Sequence, residues 1–118
     1  MLQTQTVSSE LLELLKKIMQ INLFDDFILV GGTSLALQIG HRNSIDIDLF
    51  SKSIINEELF TNKLNEFGTF EVFKRSSNIL ISSINGVKVD FVCYQYPWIS
   101  ETLLIDGIRF ASKNILQL

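Results

Sequence analysis

The residues of this chain whose types and spacing could do chemistry are three aspartates and two glycines. Asp46 and Asp48 stand one residue apart in SIDIDLF, residues 44–50, an otherwise apolar run. Alternate residues of a strand project to one face of a sheet, so these two carboxylates point the same way and repel. At a separation of ~4 Å the repulsion is about 4 kcal/mol for an effective dielectric near ~20, and one carboxylate ordinarily answers by keeping a proton. A third acid, Asp90, sits inside VKVDFVCY, residues 87–94. There Val87, Val89, Phe91 and Cys93 share one side, while Lys88, Asp90, Val92 and Tyr94 share the other. If this strand pairs beside 44–50, Asp46, Asp48 and Asp90 meet on one open face. A divalent cation converts that repulsion into attraction. Mg²⁺ takes carboxylate oxygens and completes its shell from water and substrate phosphates. Two such ions can stabilise both the attacking and the leaving oxygen of a nucleotidyl transfer. Asp46, Asp48 and Asp90 are therefore candidate catalytic residues and ligands for Mg²⁺ or Mn²⁺, one of them also taking a proton from an attacking hydroxyl.

Gly31 and Gly32 close the apolar run FILV, residues 27–30, and lead into TSLALQI. Glycine adopts backbone angles closed to other residues and lets a phosphate approach the main chain, and the first N–H groups of the helix that follows favour an anion. Thr33 and Ser34 would add hydroxyl donors, and Arg42 could reach a phosphate or form a surface ion pair. Gly31, Gly32, Thr33, Ser34 and Arg42 are thus the candidate nucleotide-binding residues. Each signal alone has an ordinary reading. Gly-Gly is a common strand-to-helix turn, an isolated Asp-x-Asp also occurs in Mn²⁺-dependent glycosyltransferases and solvated turns, and Asp90 could be a solvated strand acid. It is their combination that points to a triphosphate cradle followed by metal ligands. His41 has no second His or suitable Cys to make a metal site, Cys93 falls on the core side of its strand, and Lys74-Arg75 is a solvated strand end or a small basic contact for an acceptor.

Several elements must hold these residues in place. Residues 8–22 read as an amphipathic helix capped by Ser8 or Ser9, with Leu11, Leu14, Leu15, Ile18 and Met19 as its stripe. Phe27–Val30 is a short buried strand, Thr33–Ile39 a helix that Gly40 closes, and Ser44–Phe50 a strand with Ile45, Ile47 and Leu49 on the core face. A helix over 56–67 would bury Leu59, Phe60, Leu64 and Phe67. Strands follow over 69–75, 78–84 and 87–94, the last two joined at Asn85-Gly86, a two-residue hairpin signal. Beyond Pro97, Ile108–Ala111 suits a final strand, and Ser112 would cap a helix from Lys113. Trp98 would anchor a partner or cover the core edge. The order predicts an α/β (α+β) domain: a mixed sheet, helices packed on one face, and the acids on the open face.

Composition bounds the rest. The chain has 118 residues, 47% hydrophobic and 19% charged, the make-up of one globular domain. It shows no apolar run of membrane-spanning length and no signal-peptide pattern at its start. One cysteine cannot form an internal disulfide, which points to the cytoplasm. A net charge of −3 argues against a broad nucleic-acid-binding surface, and most of the nine phenylalanines lie in strand or helix patterns that read as core rather than as a base-stacking platform.

An apolar residue, Gly-Gly, a gap of thirteen and then Asp-Ile-Asp-Leu resembles the minimal motif of the DNA polymerase β-like nucleotidyltransferase superfamily, with the acid of KVDFV falling at the third position. FILVGGTSLALQIGHRNSIDIDLF and GIRFAS are more closely similar to the AbiEii/AbiGii-type nucleotidyltransferase toxins. The resemblance covers about residues 20–118 and is densest at 27–50. It implies Mg²⁺-dependent transfer of a nucleotide from an NTP to an acceptor hydroxyl, tRNA for toxin members, restrained by a cognate antitoxin. Family members continue into a helical region carrying a lysine and an aspartate, so residues 1–118 are expected to be a single nucleotidyltransferase core domain without it. The alternatives are a truncated or degenerate domain that binds nucleotide or a protein partner without catalysis, and a transferase acting on a small molecule such as an aminoglycoside, or on a protein hydroxyl.

Overall fold

A computed structural model describes residues 2–40, 43–94 and 102–111. The first helix, α1 (Ser9–Met19), begins where Ser8 Oγ accepts the Leu11 N–H at 3.1 Å. Glu10 lies in its first turn and Lys16 and Lys17 in its last, each opposite in sign to the local end of the helix dipole. Its expected stripe, Leu11 to Met19, is buried. The strand β1 (Ile28–Val30) runs directly into α2 (Gly31–Ile39), which Gly40 ends in the left-handed conformation. Next come β2 (Asp46–Ser51), α3 (Glu57–Leu64, capped by Asn56), β3 (Phe70–Arg75), β4 (Ile79–Ile84), β5 (Val87–Cys93), β6 (Thr102–Ile105) and β7 (Ile108–Ala111).

The seven strands form one mixed sheet in the order β3-β4-β5-β2-β1-β7-β6. The β2–β5 and β1–β7 pairs are parallel and the others antiparallel. The main core lies on one face. There Leu29, Ile47, Leu49, Leu80, Val89, Phe91 and Phe110 pack with α1, α3 and Leu37 of α2. Phe24, Phe27, Phe60 and Phe91 meet at its centre with ring centroids 4.8 Å (Phe24–Phe60) to 6.5 Å (Phe24–Phe27) apart. Four phenylalanines are thereby accounted for as core.

The structure corrects three details. Ile45 is 78% exposed, because β2 begins at Asp46 and nothing covers the residue before it. Leu59 is 51% exposed, since α3 turns Phe60 and Leu64, one helical turn apart, to the core and leaves Leu59 on its flank. The strand β6 was not expected at all. It pairs with β7 through Asp106-Gly107, both at positive φ (52° and 80°), the same chemistry as the expected Asn85-Gly86 turn (51° and 84°). The predicted helix after Ser112, and Trp98, lie outside the described residues.

Arg109 anchors the β7 segment within this fold. Its Nε donates to the Phe27 carbonyl at 2.9 Å, Nη1 to that of Met19 at 3.0 Å and Nη2 to that of Phe24 at 2.8 Å. One guanidinium therefore ties β7 to the end of α1 and the start of β1. Desolvation lowers its pKa, with the charges of Asp25 and Asp26 acting the other way.

Candidate active site

Parallel pairing of β2 with β5 sets the register: Asp46 lies beside Lys88 and Asp48 beside Asp90. Paired residues share a face, and the core side of both strands is taken by Ile47, Leu49, Val89 and Phe91. All three aspartates thus occupy the opposite face, in the arrangement the alternation permits. The row through Asp48 and Asp90 continues to Val30 on one side and to Ile81 and Lys74 on the other. Two residues further along the strands, Ile28, Phe50, Val92 and Ile79 form an apolar row.

Clustering has the expected electrostatic cost. The Asp48 carboxyl is pushed up from 3.8 to about 6, first by burial, then by the charges of Asp90 and Asp46. Lys88 opposes that shift, and a hydrogen-bond contribution from Asp90 adds to it. Asp90 is 8% exposed. Its Oδ2 receives the Lys88 ammonium at 3.1 Å, whereas Oδ1 is buried with no hydrogen-bond partner. A buried oxygen left unpaired is unfavourable by about 1–3 kcal/mol. Lys88 itself has its pKa raised by its bond to Asp90 and by that carboxylate's charge. The sequence placed Lys88 on the acid side of its strand without giving it a role. The alternation in VKVDF was the signal.

The cradle side begins where β1 ends. Val30 pairs with Asp48, so the first residue of α2 starts beside that carboxylate. Gly31 has φ +74°, and a Cβ added to it would lie 2.7 Å from Asp48 Oδ2. Only glycine satisfies both the backbone angle and the space. Gly32 follows in the first turn. Thr33 and Ser34 are fully buried. The Thr33 hydroxyl donates to the Asp46 carbonyl and lies 2.6 Å from Ser44 Oγ. Ser34 Oγ accepts from Gln38 Nε2 at 3.0 Å. These two hydroxyls are thus engaged inside the protein, fixing the start of α2 against the start of β2. What the first turn offers outward is its unpaired N–H groups. Arg42 and His41 lie outside the described residues.

The donor set suits a hard divalent cation. It consists of carboxylate oxygens on one face, one of them buried without a partner, beside a glycine that leaves room at Asp48. Among the described residues, no group of three or more His, Cys, Asp or Glu side chains is placed to hold a metal ion. The ammonium of Lys88 lies 3.1 Å from Asp90 Oδ2, on the same face.

Comparison with known proteins locates this geometry. The family described as nucleotidyl transferase AbiEii toxin, type IV TA system, matches residues 13–105. Protein aq_aa25 of Aquifex aeolicus (strain VF5) is 30% identical over 87 residues, which is 72% of this chain and 42% of that protein. Among solved structures, a protein from H. pylori described as a candidate nucleotidyltransferase superposes with a TM-score of 0.61 at 22% identity, over 92% of this chain and 56% of that one. JHP933 from Helicobacter pylori gives 0.60 at 21% identity, over 93% and 55%. At such identities the superpositions show a shared fold. The chain spans less than half the length of the curated relative and just over half of each solved structure.

Proposed function

This chain belongs to the AbiEii nucleotidyltransferase toxin family, and on that premise we propose that it transfers a nucleotide from an NTP to an acceptor hydroxyl. The observation that carries the reading is the meeting of Gly31 with Asp48 Oδ2 at the head of α2, next to the Asp48–Asp90 pair. It puts an anion-binding helix start and a cation-binding acid face side by side. The N–H groups of Gly31, Gly32, Thr33 and Ser34 bind the triphosphate, with Arg42 as a further contact. The Thr33 hydroxyl holds that turn to β2. Asp46, Asp48 and Asp90 would hold Mg²⁺ or Mn²⁺, which supplies charge stabilisation to the phosphates and to the attacking and leaving oxygens.

In the transfer, the acceptor hydroxyl oxygen forms a bond to the α-phosphorus. The bond from that phosphorus to its bridging oxygen breaks, and pyrophosphate leaves with the electron pair. The hydroxyl proton passes to a carboxylate. One of Asp46, Asp48 and Asp90 accepts it. Following the toxin members of the family, the acceptor is tRNA and a cognate antitoxin restrains the enzyme. A net charge of −3 requires the tRNA contacts to be local, and the exposed Lys74 and Arg75 on β3 are the described residues suited to this. Among the described residues no helix is long and apolar enough to cross a membrane. Separately, its single cysteine, which cannot form an internal disulfide, supports a reducing cytoplasm as the proposed compartment.

The test is transfer of label from α-phosphate-labelled NTPs to total tRNA. Wild type should label tRNA, and Asp46→Ala and Asp48→Ala should each reduce the rate by about 10²–10³-fold, the scale of a lost electrostatic group. Labelling that survives both substitutions would refute the assignment.

A further inference from the structure

We propose that Lys88 is a built-in counter-ion of the acid face: its ammonium stands in for a divalent cation at Asp90 until a nucleotide arrives, and then turns to the nucleotide's phosphates. The second step rests on the nucleotidyl-transfer reading given above, whereas the first stands on the geometry alone. Lys88 is flanked by Asp46 on the neighbouring strand and by Asp90 two residues along its own. Its ammonium lies 3.1 Å from Asp90 Oδ2. The two partners differ in freedom. The Asp90 side chain is only 11% exposed, but that of Lys88 is 48% exposed, so the carboxylate is fixed and the cation reaches it from solvent on a flexible stem.

Such a cation has two opposite effects. It offsets the mutual repulsion of three carboxylates when no metal is bound, and it repels a second cation seeking the same oxygens. A metal ion arriving alone must displace the ammonium into water. A metal ion arriving with a triphosphate offers the displaced ammonium a new anion beside Gly31. Lys88 would thereby couple metal binding to nucleotide binding, disfavouring a metal ion that arrives without nucleotide. It acts as a positioning residue through Asp90 and the phosphates, since nothing in its geometry places it at the transferred phosphorus.

Opposite signs in two binding measurements test this on the full chain. Mn²⁺ binding is followed by its electron paramagnetic resonance signal for wild type, Lys88→Met and Lys88→Arg, first with Mn²⁺ alone and then with a non-hydrolysable NTP analogue. Lys88→Met should bind Mn²⁺ alone about tenfold more tightly, and the analogue in the presence of Mn²⁺ about tenfold more weakly, the size expected for one charge-assisted contact. Lys88→Arg should stay close to wild type in both. In EDTA the methionine variant should unfold a few degrees lower (roughly 1 kcal/mol in a domain of this size), and saturating Mn²⁺ should erase that difference. Mn²⁺ affinity that is unchanged or weaker in Lys88→Met, or absent from both proteins, would overturn the counter-ion role. Tighter Mn²⁺ binding with unaltered analogue binding would overturn the second step. If no form binds the analogue, the nucleotidyl-transfer reading fails, and the Mn²⁺ arm still decides the first step.

Discussion

Gly31 and Asp48 constrain each other more tightly than any other pair in the site. Gly31→Ala adds a Cβ at φ +74°, 2.7 Å from Asp48 Oδ2. It should lower stability by about 1–2 kcal/mol through the left-handed backbone alone. It should also push Asp48 aside and weaken Mn²⁺ binding at least tenfold, readable by urea unfolding and metal titration on one sample. Asp48 carries a second prediction. Because its pKa rises from 3.8 to about 6 on folding, the native state holds a proton between those values that the unfolded state has released. Metal-free stability should therefore be greatest on the acid side of that window and decline as pH rises through about 6. The change should be of the order of 1 kcal/mol once solvent screening of this partly exposed group is allowed for. Asp48→Asn should flatten the profile. At this scale the shared face of the acids was legible in the sequence. The spacing of Asp46, Asp48 and Asp90 named the acids, and β2–β5 pairing placed them on one face. The positive φ of Gly31 and the inward turn of the Thr33 and Ser34 hydroxyls depend on tertiary contacts, which residue types alone do not reveal.

Elements position these residues through a few specific ties. Thr33 fastens the start of α2 to β2 by its hydroxyl. Thr33→Val keeps the shape but leaves the Asp46 carbonyl and Ser44 short of a partner. It should cost about 1–3 kcal/mol and weaken metal binding without contacting the metal, whereas Ser34→Ala should cost less. Arg109→Lys cannot reproduce a guanidinium serving three carbonyls and should lower stability by about 2–4 kcal/mol, measured as a shift in denaturation midpoint. Alternation told which residues share a face, but not where pairing starts. Thus Ile45 was assigned to the core, although β1 has already turned into α2 at Gly31 and β2 starts only at Asp46. Asp106-Gly107 carried the same hairpin signal as Asn85-Gly86, but TLLI before it is a short edge strand with an exposed Leu104 and shows little alternation to recognise.

Across the molecule, one sheet divides the protein into a packed face and an acidic face. The packed face draws on α1, α3 and all seven strands through a single hydrophobic cluster and the residues packed against it, from Leu2 to Phe110. That continuity supports the proposal of a single domain, for which thermal unfolding followed by far-UV circular dichroism and by aromatic fluorescence should give coincident transitions. On the proposed function, the acidic face is the side on which a negatively charged protein receives a negatively charged substrate. That is physically reasonable only if a divalent cation comes with the substrate. The central claim is therefore best tested by calorimetric titration of each NTP, with and without Mg²⁺, into wild type and an Asp46→Ala/Asp48→Ala variant. Binding that requires Mg²⁺ and vanishes in the variant is the predicted result. Binding that is indifferent to Mg²⁺, that persists without the two aspartates, or that no NTP shows with the wild type would contradict the account.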